Sequence, residues 1–234
     1  MGGVCAIIAA AGQGSRFGRR KQLVELAGKP VAAWSVRLLG LCCAVDDIVI
    51  ACDKDEQEQF EAMARNYGSD KVRRIVAGGA RRQDSVAAAF QAVDPATDFV
   101  LVHDGARPFS TDDLVNRVLA AARSSGAAIA AVRVKDTIKE AKEEGGRVAR
   151  TIPRDRLWAA QTPQAFAYDV LCRAYAGVKA DDFIGTDEAM LVERNGDAVA
   201  IVEGTEENIK ITAPEDLFVA ERIAAVRSYR ERNT

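Results

Sequence analysis

The sequence predicts a doubly wound α/β fold, a mostly parallel sheet with helices on both faces and a protruding β-hairpin arm. Three observations predict it. Short apolar runs alternate with amphipathic stretches of about 10–15 residues, the pattern of parallel strands joined by crossover helices. The first apolar run, residues 4–11, empties directly into a glycine-rich loop. The other unusual motifs also fall at the carboxyl ends of predicted strands, where such sheets bind ligands.

Taken in order, residues 4–11 read as a buried strand. Pro30 suits the first turn of a helix reaching residue 43, and residues 47–51 read as the second strand. A polar amphipathic helix over 54–66 leads to a third strand at 73–77. Gly78-Gly79 then opens a helix over 82–93, and residues 98–103 form a fourth strand. Ser110 or Thr111 caps the next helix, with Asp112 and Asp113 in its first turn. Residues 127–134 are a fifth, apolar strand. The alternation then breaks: residues 135–154 read as two charged strands joined at Glu143-Glu144-Gly145-Gly146. A polar hairpin of this kind is hard to stabilise alone, so it is expected to be an arm packing on something else. Helices follow at 168–178 and 186–195, strands at 198–202 and 208–212, and a last amphipathic helix at 214–229.

The 234 residues contain no Pro/Gly/Ser-rich stretch long enough to be a linker, so residues 1–234 are expected to form one domain with its arm at about 135–154. With 48% hydrophobic residues the chain can bury a substantial core. The formal charge of −2 argues against a general nucleic-acid binder, so the basic residues matter where they cluster. Cys5, Cys42, Cys43, Cys52 and Cys172 show no C-x-x-C spacing and read as core thiols in a reducing compartment. His103, the one histidine, leaves no room for a His-based metal site and reads as a core or supporting residue. No charged n-region precedes the first apolar run, which is too short to span a bilayer. A cytoplasmic location with no membrane or nucleic-acid partner is expected.

The chemistry begins in the first loop. Gly12, Gly14 and Gly18 let the backbone approach a ligand with its N–H groups inward, while Arg16, Arg19, Arg20 and Lys21 add positive charge. Such a loop suits a polyanion with several phosphates. The dinucleotide fingerprint fails, because the third glycine is one position late and Asp53, the first acid on a following strand, is roughly twice the usual 20 residues away. No Gly-Lys-Ser or Gly-Lys-Thr P-loop occurs. A second constellation, Gly78 to Val86, offers N–H groups at a helix start beside Arg82 and Ser85, an anion or base-edge site unless it is a plain turn. In a third, Asp104 sits past a buried strand where a carboxylate needs a partner, which Arg107 is placed to supply. Lys210 lies in an alternating stretch, where an outward-facing lysine is the alternative reading.

Ala10-Ala11-Gly12, Gly14 and Arg16, then Lys21-Gln22-Leu23 and Gly28-Lys29-Pro30, resemble the signature loop of sugar-phosphate nucleotidylyltransferases. More narrowly they are similar to the 2-C-methyl-D-erythritol 4-phosphate cytidylyltransferase family. Arg20 stands where that family usually has proline. The resemblance covers nearly the whole chain and implies a Rossmann-like nucleotidyltransferase fold and a CTP-dependent cytidylyltransferase. It implies that Arg16 and Lys21 serve the triphosphate and Lys210 the α-phosphate. Ala10, Ala11, Gly12, Gly14, Gly79, Arg82 and Ser85 would hold the nucleotide. Asp104, Arg107, Thr137, Arg154 and Thr186 would hold a sugar-alcohol phosphate, Thr137 and Arg154 across a homodimer formed through the arm. Mg²⁺ or another divalent cation is expected, held mainly by CTP phosphates with Asp104 as its nearest protein group. Two alternatives stay open: a ribitol 5-phosphate cytidylyltransferase, whose first loop more often reads Ala-Gly-Gly, and an inactive nucleotide-binding module.

Overall fold

The structure, a computed structural model, describes residues 3–12, 17, 20–68, 70–143, 146–181 and 183–232. The first half runs Val4–Ala9 (β1), a small hairpin of Glu25–Leu26 (β2) and Lys29–Pro30 (β3), Val31–Leu41 (α1), Asp47–Cys52 (β4), Gln57–Tyr67 (α2), Val72–Ala77 (β5), Arg82–Phe90 (α3) and Phe99–Asp104 (β6). The second half runs Asp112–Ser125 (α4), Ala127–Arg133 (β7), Ile138–Ala141 (β8), Val148–Ile152 (β9), Trp158–Ala167 (β10), Tyr168–Asp181 (α5), Glu188–Arg194 (α6), Ala200–Glu203 (β11) and Asp216–Arg232 (α7).

Seven strands form one sheet in the order β11-β7-β10-β6-β1-β4-β5. β1 pairs in parallel with β4 and β6, as β4 does with β5 and β7 with β11. Only apolar residues on both faces of a strand tolerate that central position, and β1 alternates accordingly. Ala6 and Ile8 pack with α1, α2 and α4 on one face, Cys5 and Ile7 with α3, α5 and α6 on the other. Within this sheet β10 alone runs antiparallel, against both β6 and β7. Thr111 caps α4 by accepting the Leu114 N–H at 3.2 Å.

The strand expected over 208–212 does not form. β6 is already paired on both edges, by β1 and β10, so this segment crosses beyond its end and takes one ladder-like bond, Ile211 N–H to Ala106 O at 2.9 Å. Buried Asn208 holds it instead, donating to Thr162 O at 2.8 Å and Gln161 Oε1 at 3.1 Å. These acceptors belong to the part of β10 where its register against β7 shifts.

A third apolar cluster joins Phe17, Leu26, Val31, Phe109, Ile211, Ala220 and Ala224. It plugs one end of α7 against both the first loop and the 208–212 segment, so the stretches bearing Lys21 and Lys210 share one hydrophobic anchor. β8 and β9 pair antiparallel, apart from the main sheet, as the expected arm. Lys139 Nζ donates across it to Thr151 Oγ1 at 2.7 Å, and Arg150 pairs with Glu140.

Candidate active site

Asp104 ends β6 with its side chain 7% exposed, and three cations surround it. Arg82 Nε, from the start of α3, meets Oδ1 at 2.8 Å, and Lys210 Nζ meets Oδ2 at 2.7 Å. Arg107 Nε stands farther off, at 3.7 Å. The expected Asp104–Arg107 pair therefore exists, but as the longest of three contacts. Burial by itself would raise the Asp104 pKa; Arg82, Lys210 and Arg107 outweigh it and hold the carboxyl well below the usual range.

Arg82 reaches past Asp104 to Glu188, whose side chain is fully buried, with Nη1 donating to Oε2 at 2.8 Å and Oε1 at 3.1 Å. Tyr175 Oη donates to Glu188 Oε1 at 3.3 Å. Burial opposes the charge on Arg82, yet Glu188 and Asp104 together hold its pKa above the ordinary guanidinium value. The guanidinium is thus fixed on two sides before any ligand arrives.

Two pockets meet at this cluster. The inner one, about 200 Å³, is lined by Ala9 at the end of β1, by Ala11 and Gly12 of the first loop, by Lys21 and Gln22, and by Ser85, Ala106 and Thr212. The outer one, about 180 Å³, is lined by Arg107, Thr186, Asp187 and the Ala160–Gln164 stretch of β10. Arg82, Asp104 and Lys210 line both. A larger groove of about 580 Å³ between α3 and α5 contains none of these residues.

The other expected site residues fall into three groups. Gly14 and Arg16 lie outside the described residues. Ala10 and Gly79 are close by but do not line the inner pocket. The Ala10 N–H extends the β1–β4 ladder to Ala51 O at 2.7 Å, and the Gly79 N–H is taken by Ser85 Oγ at 3.1 Å. The helix start at Gly78-Gly79 is therefore a closed turn at that amide, and Arg82 brings the charge. Gly78 is needed for approach: a Cβ there would lie 2.1 Å from Ala11 Cβ and 2.8 Å from Ser85 Oγ. Thr137 and Arg154 line neither pocket; the Arg154 guanidinium donates to Lys135 O at the base of the arm.

Four supporting residues stand inside motifs read from sequence but were given no role of their own there. Gln22 Nε2 donates to Gly12 O at 3.2 Å and holds the first loop in. Gln83 clamps the loop that presents Thr186, donating to Phe183 O at 3.0 Å and accepting from Gly185 N–H at 2.7 Å. Glu188 and Asn208 are fully buried polar groups. An acid or amide in such a setting is the available sign that something is being held.

A profile of the family described as IspD, 2-C-methyl-D-erythritol 4-phosphate cytidylyltransferase, matches residues 4–226. The chain belongs to this family. The cytidylyltransferase of that name from Shouchella clausii is 46% identical over 224 residues, covering 95% of this chain and 96% of the relative. The one from Pelotomaculum thermopropionicum is 45% identical over 230 residues, covering 97% and 96%. Among solved structures, 4-diphosphocytidyl-2C-methyl-D-erythritol synthase from Anaerococcus prevotii superposes with a TM-score of 0.85 at 31% identity, covering 96% of each chain. The cytidylyltransferase from Thermus thermophilus gives 0.79 at 34% identity, covering 94% and 98%. The family's sheet, mostly parallel and doubly wound, is the one described above.

Proposed function

We propose that this cleft transfers a cytidylyl group from CTP to 2-C-methyl-D-erythritol 4-phosphate, releasing pyrophosphate, in non-mevalonate isoprenoid precursor synthesis. The chain's family membership supports the activity. The observation that carries the reading is that two adjoining pockets share the wall of Arg82, Asp104 and Lys210. CTP occupies the inner pocket and the sugar phosphate the outer one, so the two phosphates meet at that wall.

A phosphate oxygen of the acceptor attacks the α-phosphorus of CTP, and the bond to pyrophosphate breaks. A phosphomonoester has its second pKa near 6, so the nucleophile is already ionised and needs no general base. What opposes the reaction is repulsion between two polyanions and charge building on the transferred and leaving groups. Preorganised cations lower that barrier. Lys21 and Arg16 neutralise the triphosphate, Lys210 faces the α-phosphate, and Gly12 and Gly14 allow close backbone contact. Arg107 and Thr186 hold the acceptor phosphate. Asp104 orients Lys210 and Arg82 and faces the acceptor hydroxyls.

A divalent cation fits this donor set. Among the described residues there is no cluster of three His, Cys, Asp or Glu groups able to hold a metal alone, but Asp104 is a carboxylate at the junction whose charged form Arg82, Lys210 and Arg107 favour. Mg²⁺ bound by Asp104 and phosphate oxygens would add charge neutralisation at the triphosphate.

Residues 1–234 work as one domain, dimeric through the arm, with Thr137 and Arg154 serving the partner's acceptor pocket. The exposed strand β9 and the separation of β8–β9 from the main sheet support this. A cytoplasmic setting is supported by five free thiols. Burial pushes Cys5 and Cys52 up to about 12. No helix among the described residues is long and apolar enough to cross a membrane.

Pyrophosphate release with each of the four nucleoside triphosphates, against methylerythritol 4-phosphate and ribitol 5-phosphate, tests the proposal. Turnover is expected with CTP and methylerythritol 4-phosphate. Preference for ribitol 5-phosphate would reassign the acceptor, and CTP binding without release would make the chain a binding module.

A further inference from the structure

We propose that Arg20 and Glu56 form an ion pair that positions Lys21, a role resting on the cytidylyl-transfer reading of the cleft. Arg20 Nε lies 3.2 Å from Glu56 Oε1, and an Arg20 Nη lies 3.7 Å from Asp55 Oδ2. The Glu56 side chain is 3% exposed and lines neither pocket. A carboxylate so buried is costly unless a cation faces it. Its site is a rigid one. The Lys54–Glu56 turn follows β4 directly and is braced by Glu56 N–H to Asp53 O at 3.0 Å and Asp55 N–H to Asp53 Oδ1 at 3.0 Å.

Lys21 opens a three-residue 3₁₀ turn, Lys21–Leu23, a conformation with little stability of its own. Two backbone bonds close it, Leu23 N–H to Arg20 O at 3.1 Å and Val24 N–H to Lys21 O at 3.3 Å. Where the turn sits is therefore set by its flanks. On one side Gln22 grips the Gly12 carbonyl at 3.2 Å. On the other Arg20 ties the chain to the end of β4 through Glu56. Lys21, between the two tethers, lines the inner pocket. Arg20 touches no reacting group; it acts through Lys21, and placement errors of about 1 Å are enough to cost a large share of rate.

The test compares the wild-type chain with Arg20→Ala, Arg20→Lys, Glu56→Gln and the Arg20→Ala/Glu56→Gln double variant. Two measurements are made: steady-state kinetics giving kcat and KM for CTP by pyrophosphate release, and hydrogen exchange at the Leu23 and Val24 amides without substrate. Arg20→Ala and Glu56→Gln are each expected to lower kcat about tenfold with KM changed less than about threefold. Exchange at the two amides should quicken at least about fivefold. The double variant should be no slower than either single one, and Arg20→Lys should recover most of the rate. A kcat within about twofold of wild type in Arg20→Ala, losses that multiply in the double variant, or unchanged exchange would overturn the proposal. A wild-type chain inactive with every nucleotide would overturn the cytidylyl-transfer reading instead, and the exchange data would still decide for or against the tether.

Discussion

Lys210 Nζ lies 2.7 Å from Asp104 Oδ2, at the junction of the two pockets. Before substrate arrives the carboxylate holds the lysine in place, so little side-chain entropy remains to be lost when phosphate binds. Lys21 lines the inner pocket that Lys210 also lines. Lys210→Ala and Lys21→Ala are each expected to lower kcat by about a hundredfold or more, the loss of one preorganised charge. Asp104 keeps Arg82 in the first variant, so the melting temperature should move little. Steady-state kinetics beside thermal denaturation checks this; near-normal kcat in either variant would remove that lysine from the catalytic set.

Glu188 supports Arg82 from a fully buried position. Glu188→Ala would leave a guanidinium that is itself largely buried without its second carboxylate, and Tyr175 without an acceptor. Breaking a buried pair in this way costs about 3 kcal/mol or more, which chemical denaturation would reveal. Glu188→Gln keeps an acceptor for Tyr175 and should retain more stability, yet lower kcat as Arg82 loses its fixed orientation. Wild-type stability in Glu188→Ala would show that this pair does not hold the site.

The sequence made the strands legible because both faces of β1, β4 and β6 are covered, leaving unbroken apolar runs. It made Asp104 and Arg107 legible because charged residues at or just past the end of such a run have few structural uses, and Lys21 and Arg82 because each stands in a glycine-bearing turn that follows a strand. It did not show that Arg82 and Lys210 are the nearer partners of Asp104, for they arrive from 22 residues before and 106 after it in the chain. The 208–212 segment looked like a strand because Ile209 and Ile211 alternate with Lys210. That alternation is real: Ile211 enters the cluster with Phe17 while Lys210 lines the pockets. Whether such a stretch pairs depends on a free sheet edge, which only the topology decides.

Gly78 tests how tightly the first loop and the turn before α3 must close. A Cβ at this position would fall 2.1 Å from Ala11 Cβ, so Gly78→Ala must push the first loop away from the start of α3. The expected cost is about 1–3 kcal/mol, with KM for CTP raised as the inner pocket opens. Ala11→Gly removes the atom it strikes and should restore part of both losses in the double variant. Purely additive effects on denaturation and KM would mean that the two loops do not press on each other.

His103 gives the stability curve a feature of its own. Its side chain is fully buried on β6 and neither ring nitrogen has a hydrogen-bond partner among the described residues, and burial pushes its pKa down from 6.5 to about 4. Below pH 6.5 the unfolded chain takes up a proton that the folded chain refuses. Stability from this group is therefore complete above about pH 6.5 and falls as pH drops toward 4, then levels once both states are protonated. The slope is about 1.4 kcal/mol per pH unit, roughly 3 kcal/mol over the window. Asp104, whose pKa is also depressed, adds its own loss at lower pH, starting near its unfolded value of about 3.9. His103→Asn removes the first contribution and leaves the second. Urea denaturation from pH 7 to 4.5, without nucleotide or divalent cation, should show a shallower decline in His103→Asn than in wild type, whatever the absolute stability of the variant. Parallel curves would mean that the imidazole is as easily protonated folded as unfolded, and that its burial on β6 is looser than the structure describes.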